Sequence, residues 1–152
     1  TGAVWIYKGI LALSVDGDIR SFAEHHLATE QEHLAFFEDW LSSGHKSLLL
    51  PLWRLSGFIL GAVSALGGRR WVYASIEAVE TFVVQHYESQ YPALDEYGDA
   101  VLFSAIRQFC SDEASHRDEA GSEASQRSAF LSAWCSLVSF GSEQAVKIAR
   151  KI

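Results

Sequence analysis

The sequence predicts an all-α fold: a four-helix bundle with one additional apolar helix and a C-terminal helix. Three observations lead there. Apolar residues recur at steps of three and four through most of the 152 residues, the period of helices with one buried face. Only two prolines interrupt the chain, so long helices meet few breaks. The turn Glu30-Gln31-Glu32-His33 is echoed by Glu113-Ala114-Ser115-His116, and a Glu and a His three apart leave a helix on one face. Two such turns, with one inward Glu from each of two further helices, are the ligand set of a carboxylate-bridged two-metal site in a helical bundle.

Length and composition fit one domain, residues 1–152, with a core of its own. Hydrophobic residues make up 49% and aromatics 12%, too many for a disordered tail or a coiled coil. The formal net charge of −7 leaves no basic footprint, so nucleic acid is excluded as a partner. Cys110 and Cys135 have neither metal-type spacing nor a disulfide framework and read as buried thiols. The chain opens on Thr1 and holds no Met, so a start upstream of Thr1 is expected.

From Thr1 to about Ser14 the chain reads as the end of a helix, with Val4, Ile6, Tyr7, Ile10 and Leu11 inward. Asp16-Gly17-Asp18 is a break, and Asp18 is expected to cap the second helix. That helix runs to about Leu41. Ile19, Phe22, Ala23, His26, Leu27, Glu30, His33, Leu34 and Phe37 keep its inner face. Glu24, Glu32, Glu38 and Asp39 fall outside that face. A carboxylate on an apolar face is costly unless paired or metal-bound, which singles out Glu30. Residues 42–47 read as a loop, and His45 there carries no signal.

Residues 48–66 are apolar almost all round, with Arg54 the only charge. Basic residues (His45, Lys46, Arg69, Arg70) and aromatics (Trp53, Trp71) flank the segment. It can be a helix buried in the bundle, a segment lying against or dipping into one leaflet, or, least favoured, a span. After Gly67-Gly68 a helix runs to about Gln90 along Val72, Ile76, Val79, Glu80, Val83 and Tyr87. Glu80 is the inward acid, with Glu77 its competitor, and Pro92 is expected to end the helix. From Tyr97 to about Ser122, Leu102, Ile106, Phe109, Glu113, His116 and Ala120 face inward, while Asp118 is a candidate hydrogen-bond partner behind the ligands. Gly121 to Ser125 reads as a break. A last helix, about 126–152, is expected to bury Phe130, Trp134, Leu137, Val138, Val146 and Ile148 and to end on basic residues.

The residues alone thus offer five metal ligands: Glu30, His33, Glu80, Glu113 and His116. Carboxylate oxygen with imidazole and no thiolate suits iron or manganese. The two-metal recipe asks for a sixth ligand, a Glu from the first helix, and Thr1 to Ser14 has no acid. His25 and His26 are not expected to be ligands.

Gly2-Ala3 and Ile6-Tyr7-x-Gly9, then Glu30-x-x-His33-Leu34, open a series of matches. Pro51-Leu52-Trp53, Gly57-Phe58 and Leu60-Gly61-Ala62 continue it. Ala78-Val79-Glu80 with His86-Tyr87 and Gln90, and Asp112-Glu113-x-x-His116 with Asp118, complete it. In combination the chain resembles the Coq7 (Cat5) family of demethoxyubiquinone hydroxylases as far as about Gly121. The family's opening pattern has a ligand Glu that would fall immediately before Thr1. The resemblance also favours Glu80 over Glu77 and makes residues 48–66 the membrane-associating segment.

The resemblance implies a ferritin-like di-iron monooxygenase that uses O2 to hydroxylate the ring of a demethoxyubiquinol, a polyprenylated quinone. Two iron ions are the implied cofactor, with an external reductant, NADH among the options. His86 and Tyr87 resemble the family's pair beside the site, suited to passing electrons or protons to substrate. The implied partners are the quinone, O2 and a membrane surface, with a homo-oligomer or another protein of ubiquinone biosynthesis in addition. The implied place is the cytoplasmic face of a bacterial inner membrane, or the matrix face of the mitochondrial inner membrane. Two rivals are a rubrerythrin- or ferritin-like iron-oxidising or peroxidase protein and a non-enzymatic helical membrane-associated module.

Overall fold

A computed structural model describes residues 1–41, 47–124 and 127–150. Seven helices make up the described chain: α1 (Gly2–Leu13), α2 (Gly17–Trp40), α3 (Leu50–Leu66), α4 (Arg69–Glu88), α5 (Tyr91–Tyr97), α6 (Ala100–Glu123) and α7 (Ala129–Ala149). No strand occurs among the described residues, as an all-α fold requires. The chain forms two compact units, one of Thr1–Val72 with the residues from Gln144 onward, the other of Tyr73–Glu143.

In the first unit α1 packs on both α2 and α3. Val4, Ile6, Tyr7 and Ile10 bury the expected face of α1. The α1–α2 turn is tighter than the Asp16-Gly17-Asp18 break suggests. Asp16, not Asp18, is the N-cap: its Oδ1 accepts from the backbone N–H of Asp18 at 3.0 Å and of Ile19 at 3.2 Å. One residue decides this, because the cap must precede the first helical turn and Gly17 is already helical. Arg20 Nη1 donates to the carbonyls of Leu11 and Ser14 at 2.7 and 3.1 Å, and Arg69 pairs with both Asp16 and Asp18.

The α1–α3 contact is made backbone to backbone. A Cβ on Gly61 would run into the Ile6 carbonyl, one on Gly9 into the Phe58 carbonyl, and one on Gly57 would stand 2.5 Å from the Gly2 carbonyl. Side chains on α3 therefore sit mostly elsewhere, and the helix buries only Gly57, Gly61 and Ser64. Leu52, Leu55, Ile59, Val63 and Leu66 stay exposed at steps of three and four, an apolar stripe along one side. At 17 residues α3 is roughly 26 Å long, short of a bilayer's hydrocarbon core. No helix among the described residues is long and apolar enough to cross a membrane. His45 and Lys46, expected to flank this segment, lie outside the described residues, as do 125–126 and 151–152.

In the second unit α4 carries the core along Tyr73, Ala74, Ile76, Val79 and Val84. Trp134 Nε1 donates to Ser75 Oγ at 2.8 Å, and the Cys135 thiol reaches the Ala74 carbonyl at 3.4 Å, so α7 lies along α4. Both cysteines are buried free thiols. Pro92 does not simply end a helix. It stands in the first turn of α5, where a missing N–H costs nothing. Gly98 then takes φ 77°, a left-handed value that ends α5, and Asp99 caps α6 by accepting from Leu102 N–H at 2.9 Å.

Two further expectations are corrected. α6 continues through Gly121 to Glu123, because a single helical glycine costs only about 1 kcal/mol. On α7 the buried face is Leu131, Cys135 and Val138, while Phe130, Leu137 and Ile148 are exposed. The first half of α7 spreads apolar residues over most of its circumference, with Ser132, Ser136 and Ser139 on one side, so periodicity does not choose between Leu131 and Phe130 as inner residues.

Candidate metal centre

Both Glu-x-x-His turns sit at the same depth in their helices. α2 and α6 are each 24 residues long, and Glu30 and Glu113 each come thirteen residues after the helix start. In the first unit Glu30 and His33 are both buried, at 6% and 5% exposure. They lie one turn apart on the face that also buries Ile19, Phe22 and His26. Glu24, Glu32, Glu38 and Asp39 are exposed, as expected of acids off that face.

In the second unit α4 and α6 bring three ligand residues together. Glu80, Glu113 and His116 are 1%, 2% and 4% exposed, and each offers a ligand atom within 4.8 Å of the others'. His116 Nδ1 and Glu113 Oε2 hydrogen bond at 3.1 Å. Two buried carboxylates this close repel by at least roughly 3.5 kcal/mol if both are ionised, at an effective dielectric of about 20. A shared proton or a cation removes that repulsion. Ligands on one metal ion stand up to about 4.4 Å apart, given metal–oxygen bonds of about 2.0–2.2 Å. Two carboxylates and an imidazole, with no thiolate, are the donors that iron accepts. The residues present therefore fit the metal centre that the sequence suggests.

Glu77, the competitor of Glu80, points elsewhere. It pairs with Arg127 at the mouth of a groove between α4 and α7, and its neighbour across α6 is Gly121. The pattern did not reveal this pair, because Arg127 lies fifty residues away in a segment read as the start of the last helix. His86 stacks on Phe82 at 5.8 Å with the rings nearly parallel, and Tyr87 is partly buried. Tyr87 continues the face of Glu80 two turns on, roughly 10 Å along the helix. Asp118 is exposed and pairs with Arg117, so it is not the buried hydrogen-bond partner considered for the ligands. His26 is 1% exposed inside an aromatic cluster, 4.3 Å from Phe22 and 5.9 Å from Tyr7 by ring centroids.

The family model of ubiquinone biosynthesis protein COQ7 matches residues 1–149. The chain belongs to the COQ7 family. Among its relatives is a 3-demethoxyubiquinol 3-hydroxylase of Rhodospirillum rubrum, 37% identical over 120 residues. Two others bear the name NADPH-dependent 3-demethoxyubiquinone 3-hydroxylase, mitochondrial: one from Dictyostelium discoideum, 29% identical over 155 residues, and one from mouse, 31% over 124. These alignments take in 77%, 99% and 77% of the chain. They span 56% of the Rhodospirillum and mouse proteins and 71% of the Dictyostelium one, so the chain covers little more than half the length of two of them. Membership of the COQ7 family thus rests on nearly the whole chain, including both ligand turns.

Proposed function

We propose that this chain carries the di-iron centre of a 3-demethoxyubiquinol 3-hydroxylase, which uses O2 to hydroxylate the ring of a polyprenylated demethoxyquinol. The observation that carries the reading is the convergence of Glu80, Glu113 and His116 in a site closed to water. Glu30 and His33 supply the second ligand turn. Two iron ions, when bound, supply reductive activation of dioxygen. One oxygen atom becomes the new ring hydroxyl and the other leaves as water. Two electrons come from a reductant, NADH or the quinol.

The protein's own part is placement and exclusion. Glu80, Glu113 and His116 on α4 and α6 would hold metal where water is excluded and would neutralise its charge locally, and Glu30 and His33 on α2 would add the second pair of ligands. Tyr87, on the face of Glu80, and His86, held flat against Phe82, stand where a ring entering along α4 would meet a proton donor. The exposed stripe of α3 lets the enzyme rest on a membrane surface, where the polyprenyl tail stays while the ring enters. The expected membrane is a bacterial inner membrane at its cytoplasmic face, or a mitochondrial inner membrane at its matrix face.

The test is turnover under labelled oxygen. Iron-loaded full-length protein, a short-tailed demethoxyquinone, reductant and 18O2 are combined. The expected product carries one new hydroxyl labelled with 18O. Iron oxidation without hydroxylated quinone would mean a ferritin- or rubrerythrin-like activity and would overturn the proposal.

A further inference from the structure

Lys8 on α1 and Arg54 on α3 border one cavity of 370 Å³ in the first unit, together with Trp5, Gln31 and Glu38. That volume lies in the range of sites for small molecules, roughly 300–1,000 Å³. Neither cation makes an ion pair among the described residues, whereas Arg20, Arg69, Arg117 and Arg127 all do. Lys8 Nζ instead lies 4.7 Å from the Trp5 ring centre, which holds the ammonium at the cavity without neutralising it. Among the described residues that line the cavity, two positive groups stand against the one carboxylate of Glu38, a balance that favours an anion.

The position of the cavity on the helix narrows the choice of anion. Arg54 stands three residues before Gly57 and seven before Gly61, so it leaves α3 on the glycine side that meets α1. The apolar stripe of Leu52, Leu55, Ile59, Val63 and Leu66 leaves on the other side. A helix resting on a membrane sinks its apolar face about 5–10 Å into the headgroup boundary, and a helix with side chains is about 10–12 Å wide. Its far flank then stands at the level of the lipid headgroups.

We propose that this cavity binds the phosphodiester of a phospholipid headgroup, with Lys8 and Arg54 on the phosphate oxygens. The proposal rests on the reading that the α3 stripe meets a membrane. A phosphodiester is a monoanion, which matches two cations set against one acid, and Gln31 supplies a neutral donor. The site would fix how α3 lies on the surface, and so which end of the bundle faces the bilayer.

The test compares two kinds of vesicle of matched surface charge: phosphatidylglycerol vesicles, and galactolipid vesicles made anionic with oleate, which contain no phosphate. Removing both cations (Lys8→Ala with Arg54→Gln) is expected to weaken binding to phosphatidylglycerol by more than the general charge effect of about fivefold per cation, roughly 25-fold together. Binding to the phosphate-free vesicles should fall only by that general charge effect, and circular dichroism should show the variant folded. An equal loss on both vesicles would reduce the effect to general charge and overturn the phosphodiester site while leaving membrane docking intact. Displacement from phosphatidylglycerol by inorganic phosphate, beyond that caused by chloride of the same ionic strength, would also overturn it, because the cavity would then hold free phosphate. Wild-type protein that binds neither vesicle would overturn the site and the membrane reading together, whereas Ile59→Asp losing both vesicles alike separates docking from headgroup recognition.

Discussion

Glu80 on α4 and Glu113 on α6 offer carboxylate oxygens within 4.8 Å of each other, and neither side chain is more than 2% exposed. Burial of two acids so close is expensive unless a positive charge lies between them. Natural helices do not place acids on the inner faces of two neighbours without such a return. His116, 3.1 Å from Glu113, adds the nitrogen that completes a metal-binding set. The stability of the second unit is therefore coupled to what this trio binds, since a ligand that binds only the folded form stabilises it by mass action.

The α2 cap gives a pH dependence with a definite sign. The Ile19 N–H, together with Arg69, holds the Asp16 carboxyl below its ordinary value of 3.8. A depressed folded pKa contributes stability above the unfolded value, and that stability is lost as pH falls through the folded one. Asp16→Asn keeps a capping oxygen but removes the charge. Thermal melts should show wild type above the variant near neutral pH, with the gap closing as pH drops below 3.8.

The α1–α3 seam depends on glycine because the backbones touch. Gly61→Ala puts a methyl against the Ile6 carbonyl, and such overpacking costs about 1–3 kcal/mol or more. A fall in Tm of roughly 2–12 °C is expected. Gly141→Ala on α7 meets nothing within 4 Å and should raise stability by about 0.4–1 kcal/mol. Calorimetry of the two variants checks the contrast.

Ile59 is 51% exposed in the middle of the α3 stripe. Ile59→Asp should change stability by no more than about 0.5 kcal/mol. It should lower the fraction of protein on phospholipid vesicles by roughly tenfold or more. Flotation of both proteins with the same vesicles measures this.

Burial pushes the Cys135 thiol up from its ordinary pKa, and thiolate is the reactive form. Cys110 is buried as well. A thiol reagent should label neither cysteine in the native protein and both once denaturant unfolds it. Prompt labelling of Cys135 at neutral pH would show that the α4–α7 contact opens readily in solution.

Much of this architecture was legible in spacing alone. Glu30, His33, Glu80, Glu113 and His116 all occupy buried positions, because a polar residue on an apolar helical stripe has nowhere else to point. The faces of α1, α2, α4 and α6 were legible for the same reason. Where apolar residues cover most of a helix, the period gives little direction: Leu131 and Cys135 are buried on α7, and Phe130 and Leu137 are not. The Glu77–Arg127 pair was hidden, because a contact between residues fifty positions apart leaves no local pattern. Short-range chemistry also misled at Asp16, where two acids beside a glycine compete for one cap. On α3 the largely apolar sequence concealed an asymmetry made by Gly57 and Gly61, which admit α1 on one side and leave Leu52, Leu55 and Ile59 exposed on the other.

The most direct measurement is iron binding by wild type, Glu80→Gln and Glu77→Gln, each loaded anaerobically with Fe(II) and assayed for bound metal. A carboxylate-bridged pair predicts two irons in the full-length wild type. It predicts a loss of at least tenfold in affinity for Glu80→Gln, on the order of what removal of a metal's supporting group costs. Glu77→Gln should load like wild type, since its cost is the Arg127 ion pair alone. Wild-type loading in Glu80→Gln, or loss of iron in Glu77→Gln only, would contradict the assignment of the centre.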